Sequence, residues 1–295
     1  MSAGAHQVKS LAHVVREGSI SGAARRLGVS QSAVSQHIAK LETHVGAQVL
    51  IRHRDGIVLT PVGQELFQLA DQYAALDQQI EERLRGHAAL ERGHLTVIAN
   101  APQPALSLIA SFSERYPKIS VDFTLYDWAS AMQRLNDSKV DIAIVTAPTP
   151  SESLFIKPLK NARYVLYARH DSPLAKLTTA SLKEVASQTV ILPERGSLTQ
   201  RVLSQAFQDH GVQPRRLITM TTFPVMKEAI LQGIGIGFFL DSSSVPEDRL
   251  VEIPVQELSQ EYATCLTVPK HKMGLRITNS FLHVVDDFVG KIGVR

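Results

Sequence analysis

Cysteine is almost absent: Cys265 is the only one in 295 residues. One thiol excludes an intramolecular disulfide and suits a reducing, cytoplasmic setting. Long apolar runs are also missing. No stretch approaches the roughly 18 residues of a membrane-spanning helix. The opening MSAGAHQVKS lacks the apolar core of a signal peptide. The sequence therefore predicts neither membrane insertion nor secretion. Catalytic signatures are absent as well: there is no G-x-S-x-G elbow, no P-loop, no H-E-x-x-H and no metal-like histidine spacing. Gly233, Gly235 and Gly237 are spaced like part of a dinucleotide fingerprint, but Phe238 follows and the glycines precede a strand. Close packing explains them better. No cofactor, no metal and no enzymatic activity are expected, and Cys265, inside an apolar run, reads as core.

What is present is ordinary for a soluble chain with a real core: 44% hydrophobic and 20% charged residues. The length suits about two domains. The net charge is only +3, but it is unevenly placed. Residues 1–60 hold Lys9, Arg16, Arg25, Arg26, Lys40, Arg52 and Arg54 against Glu17, Glu42 and Asp55, together with five of the 11 histidines. That surplus suits a polyanionic partner.

The pattern within this segment is helix (7–17), helix (21–27), a tight turn at Gly28-Val29, and a helix (31–45) capped by Ser30 and closed by Gly46. Apolar runs at 49–51 and 57–59 flank Arg52-His53-Arg54-Asp55-Gly56, a hairpin signal. The order is that of a winged helix-turn-helix. Thr60-Pro61 then opens a helix expected to run to about Arg92. Val62, Leu66, Leu69, Tyr73, Leu76 and Ile80 form a heptad seam along it. The seam predicts a dimerising linker helix; the alternative is a helix packed on its own domain. From residue 95 strands alternate with helices, an α/β pattern with mostly parallel sheets. Strands are expected at 95–100, 119–127, 140–147, 163–169, 189–192, 217–221, 234–240, 250–255 and 263–268. The pattern leaves open one large sheet or two lobes.

The 31–45 helix turns Ala33, Val34, Ile38, Leu41 and Val45 inward. Gln31, Ser32, Ser35 and Gln36 are left outward near its start, with Lys40 beyond. Gln pairs with adenine edges and Ser with several bases, and the start of a recognition helix is the part that reaches them. Arg52, His53 and Arg54 on the hairpin suit phosphate or minor-groove contacts, and Arg25 and Arg26 backbone clamps. Ser30 completes the candidate DNA-binding set.

The run Ser19-Ile20-Ser21-Gly22-Ala23-Ala24-Arg25-Arg26-Leu27-Gly28-Val29-Ser30-Gln31-Ser32-Ala33-Val34-Ser35-Gln36-His37-Ile38, followed by Leu41-Glu42, Gly46 and Leu59-Thr60-Pro61-Val62-Gly63, resembles the LysR-type transcriptional regulator signature. The likeness is concentrated over residues 6–65, and the remainder agrees more loosely in length and order. The resemblance implies a DNA-binding domain at 1–60, a dimerisation helix at 61–93 and an effector-binding domain at 94–295. The last would consist of two Rossmann-like lobes resembling periplasmic binding proteins: 94–162 with 269–295, and 163–268. It also implies binding to double-stranded promoter or operator DNA, assembly as a homodimer or homotetramer, and control by a small molecule held between the lobes.

Ligands of open α/β sheets sit at the carboxyl ends of strands, near helix N-termini that favour anions. On that ground the candidate effector residues are Asn100, Ala101, Gln103, Trp128, Ser130, Ser197, Thr199, Arg201 and Thr222. Asn100 departs from the Ser or Thr usual at the similar family position. Asp127 suits either a cationic ligand group or a helix cap. Converging caps plus Arg201 suggest a small polar, acid-bearing effector. The competing readings are a solute-binding protein, which leaves the first 90 residues unexplained, and an enzyme, for which no nucleophile, metal cluster or cofactor loop is visible.

Overall fold

The computed structural model describes residues 4–53, 56–84 and 93–292. It opens with α1 (Ala5–Glu17), α2 (Ile20–Leu27) and α3 (Gln31–Val45), then the hairpin β1 (Leu50–His53) and β2 (Gly56–Leu59). Each helix boundary is written in the sequence. Ser19 accepts from the Gly22 amide and Ser30 from the Ala33 amide, so both hydroxyls satisfy otherwise orphaned N–H groups. Gly18, Gly28 and Gly46 close the helices with positive φ. Small Ala23 and Ala24 let α2 approach Leu11, Val14, Val34 and Leu41 in one buried core. Arg54 and Asp55 of the hairpin lie outside the described residues.

Helix α4 (Pro61–Leu84) follows; the part of the expected helix beyond residue 84 falls on residues 85–92, outside the described ones. Thr60 caps it through the Gly63 amide at 3.0 Å. A side chain at Gly63 would lie 2.0 Å from the Val49 carbonyl oxygen, so only glycine lets α4 start against the hairpin. Phe67, Ala70, Asp71, Ala74 and Ala75 are buried against the rest of the chain. The opposite side leaves Leu69 64% and Leu76 56% exposed, with Val62, Tyr73, Ile80 and Leu84 beside them. Leu66, read from the sequence as part of the seam, instead packs half-buried against the core of the head, so one face of the helix packs on its own chain and the other five seam residues are exposed.

The remaining chain is α/β. In order it contains β3 (Gly93–Ala99), α5 (Ala105–Arg115), β4 (Ile119–Leu125), α6 (Trp128–Asn136), β5 (Ile142–Thr146) and β6 (Leu154–Arg169). Then come α7 (Leu182–Ala186), β7 (Thr189–Leu192), α8 (Leu198–Asp209), β8 (Arg216–Thr219), α9 (Phe223–Leu231), β9 (Ile236–Leu240), β10 (Leu250–Pro254), β11 (Glu261–Pro269) and α10 (Arg276–Ile292). The strands lie in the order β4-β3-β5-β11-β6-β9-β7-β8, with β10 on β6. Both ends are parallel, as expected, but the centre is antiparallel, because β6 and β11 pair with each other and with their outer neighbours in opposite directions.

This topology decides between one sheet and two lobes. The hydrogen bonding is continuous, yet the buried clusters divide between two lobes, two clusters in each. The first lobe has one around Leu95, Phe112, Leu266 and Phe281 and one around Ile98, Met132, Leu135 and Val145; the second has one around Leu166, Val190, Leu203 and Phe238 and one around Tyr167, Ile191, Met226 and Phe239. Strands β6 and β11 cross between them. Strand β6 begins at Leu154, nine residues before the expected 163, because Pro158 hides the signal. The pairing jumps there, Thr264 opposite Lys160 and Cys265 opposite Pro158, so Leu159 is a bulge that accommodates the proline. Leu266 and Val268 pack in the first lobe's core, so β11 enters that lobe before the 268/269 boundary expected from the sequence. Gly235 and Gly237 are indeed packing positions: a side chain would meet the Thr189 carbonyl oxygen at 2.4 Å or Ile230 at 2.9 Å.

Candidate nucleic-acid interface and ligand cleft

Helix α3 buries Val34, Ile38 and Leu41 and leaves Gln31, Ser32, Gln36 and Lys40 exposed, with Ser35 half-buried beside them. Ser30 is committed as the cap, and its hydroxyl also meets that of Ser32 at 2.8 Å. Glu42, the acid on this helix, accepts from the Val49 amide at 3.0 Å and so ties α3 to the hairpin. That removes its charge from the exposed stripe. Arg52 and His53 are exposed on β1, and Arg25 and Arg26 on α2. Lys9 and Arg16, in contrast, are paired with Asp77 and Asp71 of α4. The local basic surplus therefore divides: part of it locks the head onto the linker helix, and the rest is free at the surface.

Between the lobes lies a cavity of about 80 Å³. It is formed where β3, β4, β7 and β9 end and α6, α8 and α9 begin. Asn100, Trp128, Ser197, Thr199 and Thr222 line it, as do Asp127, Glu194, Phe223, Met226 and Phe239. Most polar side chains here already have partners. Asp127 caps α6 through the Ser130 amide at 2.8 Å, and Ser197 caps α8 through the Gln200 amide at 3.1 Å. The Asn100 side-chain oxygen accepts from the Thr146 amide at 3.1 Å, and Thr199 meets the Tyr164 hydroxyl at 3.0 Å. Burial pushes the Tyr164 hydroxyl well above the usual tyrosine range, so it stays neutral. The exception is Glu194, whose Oε2 is buried without a hydrogen-bond partner. Thr222, the residue just before α9, has a φ of 65°, a left-handed backbone that a β-branched residue rarely adopts. The Arg201 guanidinium stacks over the Trp128 ring at 4.8 Å, bridging α8 to α6 across the cleft.

The comparisons agree with both halves of this architecture. Residues 5–64 match the bacterial regulatory helix-turn-helix of the lysR family, and residues 88–288 match the LysR substrate binding domain. The chain belongs to the LysR family of transcriptional regulators. Among its relatives, the HTH-type transcriptional regulator CysL of Bacillus subtilis is 26% identical over 232 residues, 78% of each chain. The uncharacterized HTH-type transcriptional regulator YeiE of Escherichia coli is 29% identical over 247 residues, 83% of this chain and 82% of its own. The fold is shared with full-length OxyR of Pseudomonas aeruginosa, at a TM-score of 0.77 and 15% identity over 97% of this chain and 95% of that one. ArgP of Mycobacterium tuberculosis gives 0.69 and 23% over 98% of each.

This LysR regulator is accordingly a DNA-binding transcription regulator with an effector-type C-terminal domain. Among the described residues no helix is long and apolar enough to cross a membrane. Of the nine effector residues read from the sequence, Asn100, Trp128, Ser197, Thr199 and Thr222 line the cleft and four do not. Gln103 is turned toward Ser107 and Ser243, and Ala101 lies outside the lining. Ser130 contributes its backbone to the α6 cap, and Arg201 lies behind Trp128, lining an outer groove with Tyr164 and Asp209. Helix α5 begins at Ala105 rather than 102, so the loop after β3 presents no helix start there. Sequence reading missed Glu194 and the Phe223–Met226–Phe239 wall. Only Pro193 separates Glu194 from the carboxyl end of β7, which is the signal that would have found it.

Proposed function

We propose that the regulator reads operator DNA with Gln31, Ser32, Ser35 and Gln36 of α3, while Arg25, Lys40, Arg52 and His53 contact the phosphate backbone. Arg54 belongs to the same candidate set, as does Arg26 in the sequence reading, although its side chain lines the cavity between the head and the first lobe. The observation that carries this reading is the exposed polar stripe at the start of α3 beside a basic hairpin. Polar groups there are freed from the core by the inward Val34, Ile38 and Leu41, and Glu42 is withdrawn into the hairpin contact. The working division is a DNA-binding head (1–60), a linker helix (61–93) and an effector module (94–295). The exposed α4 seam supports assembly as a homodimer or homotetramer, and DNA binding together with one cysteine supports a cytoplasmic setting.

The effector is a small molecule with two chemically different ends. An acceptor end, such as an acid, faces the N-termini of α8 and α9, where backbone N–H groups favour anions. A donor end faces the unpartnered Glu194 oxygen, and the body lies on Phe223, Met226 and Phe239. This extends the expectation of a small polar, acid-bearing effector and takes up the cationic group that Asp127 suits: Arg201 is stacked on Trp128 and lies outside the lining, whereas the carboxylates of Asp127 and Glu194 are inside it.

A mobility-shift titration on DNA from upstream of its own gene, with nonspecific competitor, tests the DNA reading. Specific shifts that candidate effectors alter are expected. Retention no tighter than that on competitor DNA, with and without ligands, rejects it.

A further inference from the structure

A second cavity, of about 260 Å³, lies between the DNA-binding head and the first lobe. Its walls come from α1, α2 and Gln78 of α4 on one side and, on the other, from β3, β4, α6, the residues just before β5 and the segment from Lys272 to Ile277. Two buried nitrogen atoms on its wall have no hydrogen-bond partner: Arg16 Nη2 and His13 Nδ1, one helical turn apart on α1. A guanidinium nitrogen can only donate, so Arg16 Nη2 lacks an acceptor. Leaving a buried donor unmade is costly, and such groups are normally satisfied by protein, water or a ligand.

The charges around the cavity say what acceptor fits. Its carboxylates are mostly engaged: Asp141 accepts from Lys272 and from the Thr96 amide, and Asp122 lies 3.2 Å from the His94 ring. Lys139 is held by Asp137. Glu17, exposed on α1, is the remaining acid. On the cationic side, Arg26 reaches the cavity from α2, and Arg134 reaches it from α6 with its guanidinium over the Tyr126 ring at 4.3 Å. Neither has a carboxylate partner among the described residues. Burial, Arg16 and Arg26 hold His13 neutral, consistent with a site already crowded with positive charge. Three guanidiniums from opposite walls, one with a buried unmade donor, present planar donor forks suited to an oxyanion.

We infer that this junction is a binding site for a small, doubly charged oxyanion of the sulfate or phosphate class, held between Arg16 and Arg26 of the head and Arg134 of the effector module. The bound anion ties the head to the first lobe. The site backs onto the effector cleft, because Tyr126 lines both cavities and carries Arg134 on its face.

The test is calorimetric titration of sodium sulfate, and separately sodium phosphate, into the full-length protein, against sodium chloride at matched ionic strength. Saturable binding of one oxyanion per chain is expected, weakened at least tenfold by Arg134→Ala on the lobe side and equally by Arg26→Ala on the head side. Response to sulfate alone, phosphate alone or both identifies the source of the anion. Absence of saturable binding beyond chloride overturns the inference. So does oxyanion binding that both variants leave intact, as occupation of the effector cleft would give.

Discussion

Asp71 of the linker helix joins two parts of the regulator through its two carboxylate oxygens. Oδ1 accepts from Arg16 of the head, and Oδ2 from His271 of the effector module at 2.7 Å. Lys272 stands 3.7 Å from the same carboxylate and 3.1 Å from Asp141. Burial opposes the charge, but Lys272, His271 and Arg16 together hold the Asp71 carboxyl well below the usual carboxylate range. Asp71→Asn leaves the largely buried Arg16 without its carboxylate partner, while Lys272 keeps Asp141. Breaking a buried pair in this way costs about 3–5 kcal/mol. Urea unfolding of the variant should show a loss of that order, and a midpoint equal to the parent's would mean the junction carries no weight.

His13, in the same region, predicts an acid weakness. Burial, then Arg16 and Arg26, lower its pKa to about 4 from 6.5, against a smaller opposing influence of Asp71. The unfolded chain therefore binds the proton more readily than the folded one between those values. Stability should fall as pH drops from about 6.5 to 4, by on the order of 1–3 kcal/mol. His13→Gln should flatten the dependence of Tm on pH in that window. An unchanged slope would assign the acid sensitivity to other groups; Asp71, for instance, acts only as pH falls below the ordinary carboxylate range.

On DNA, Gln31→Ala and Arg52→Ala should behave differently. Loss of a bidentate base contact costs roughly 1–3 kcal/mol and relaxes the preference at one base pair. Loss of a phosphate contact weakens all sequences alike and reduces the log–log salt slope by about 0.9. Competition shifts with operator and scrambled duplexes at several salt concentrations separate the two. Unaltered discrimination by Gln31→Ala would move the reading face elsewhere on α3.

The seam on α4 gives a prediction for assembly. Leu69→Glu with Leu76→Glu places two charges on a surface that is apolar and exposed in the single chain. Sedimentation velocity should shift from dimer or tetramer to monomer, with far-UV circular dichroism unchanged because neither side chain is in the chain's own core. A parent protein that is already monomeric at micromolar concentration would remove the basis for the seam.

Glu194→Gln tests the donor end of the effector. The variant keeps the shape of the cleft and removes the charge of its unpartnered carboxylate. An effector with a charged donor should lose about tenfold or more in affinity, given that hydrogen bonds to charged groups are worth roughly 1.5–3 kcal/mol. Equal affinity, measured calorimetrically with the effector found by the shift assay, would place the ligand away from Glu194.

The head was legible almost residue by residue, because its signals are local: Ser19 and Ser30 cap the helix three residues on, and each glycine closes the helix before it. Strand and helix alternation in the effector module was equally local. What stayed hidden depended on distant partners. Strand β6 was obscured by Pro158, whose bulge makes sense only opposite Cys265. Asn100 lines the cleft, as its place at the end of β3 predicts, but nothing local in the sequence tells that its oxygen also holds the Thr146 amide, 46 positions away. Arg201, together with the converging caps, pointed to an anion, while its guanidinium stacks on the Trp128 ring of the other lobe. Asp71 is an acid in a helix pattern, and nothing near it in sequence announces its partners at 16 and 271.

Strand β11 crosses between the lobes and ends at Pro269, and the turn Lys270–Lys272 that grips Asp71 starts at the next residue. The strand that runs between the two lobes and the turn that holds the linker helix are therefore one continuous piece of backbone. His271 follows the last residue of β11, Pro269, with only Lys270 between them, so the carboxylate of Asp71 is fastened almost directly to the central sheet.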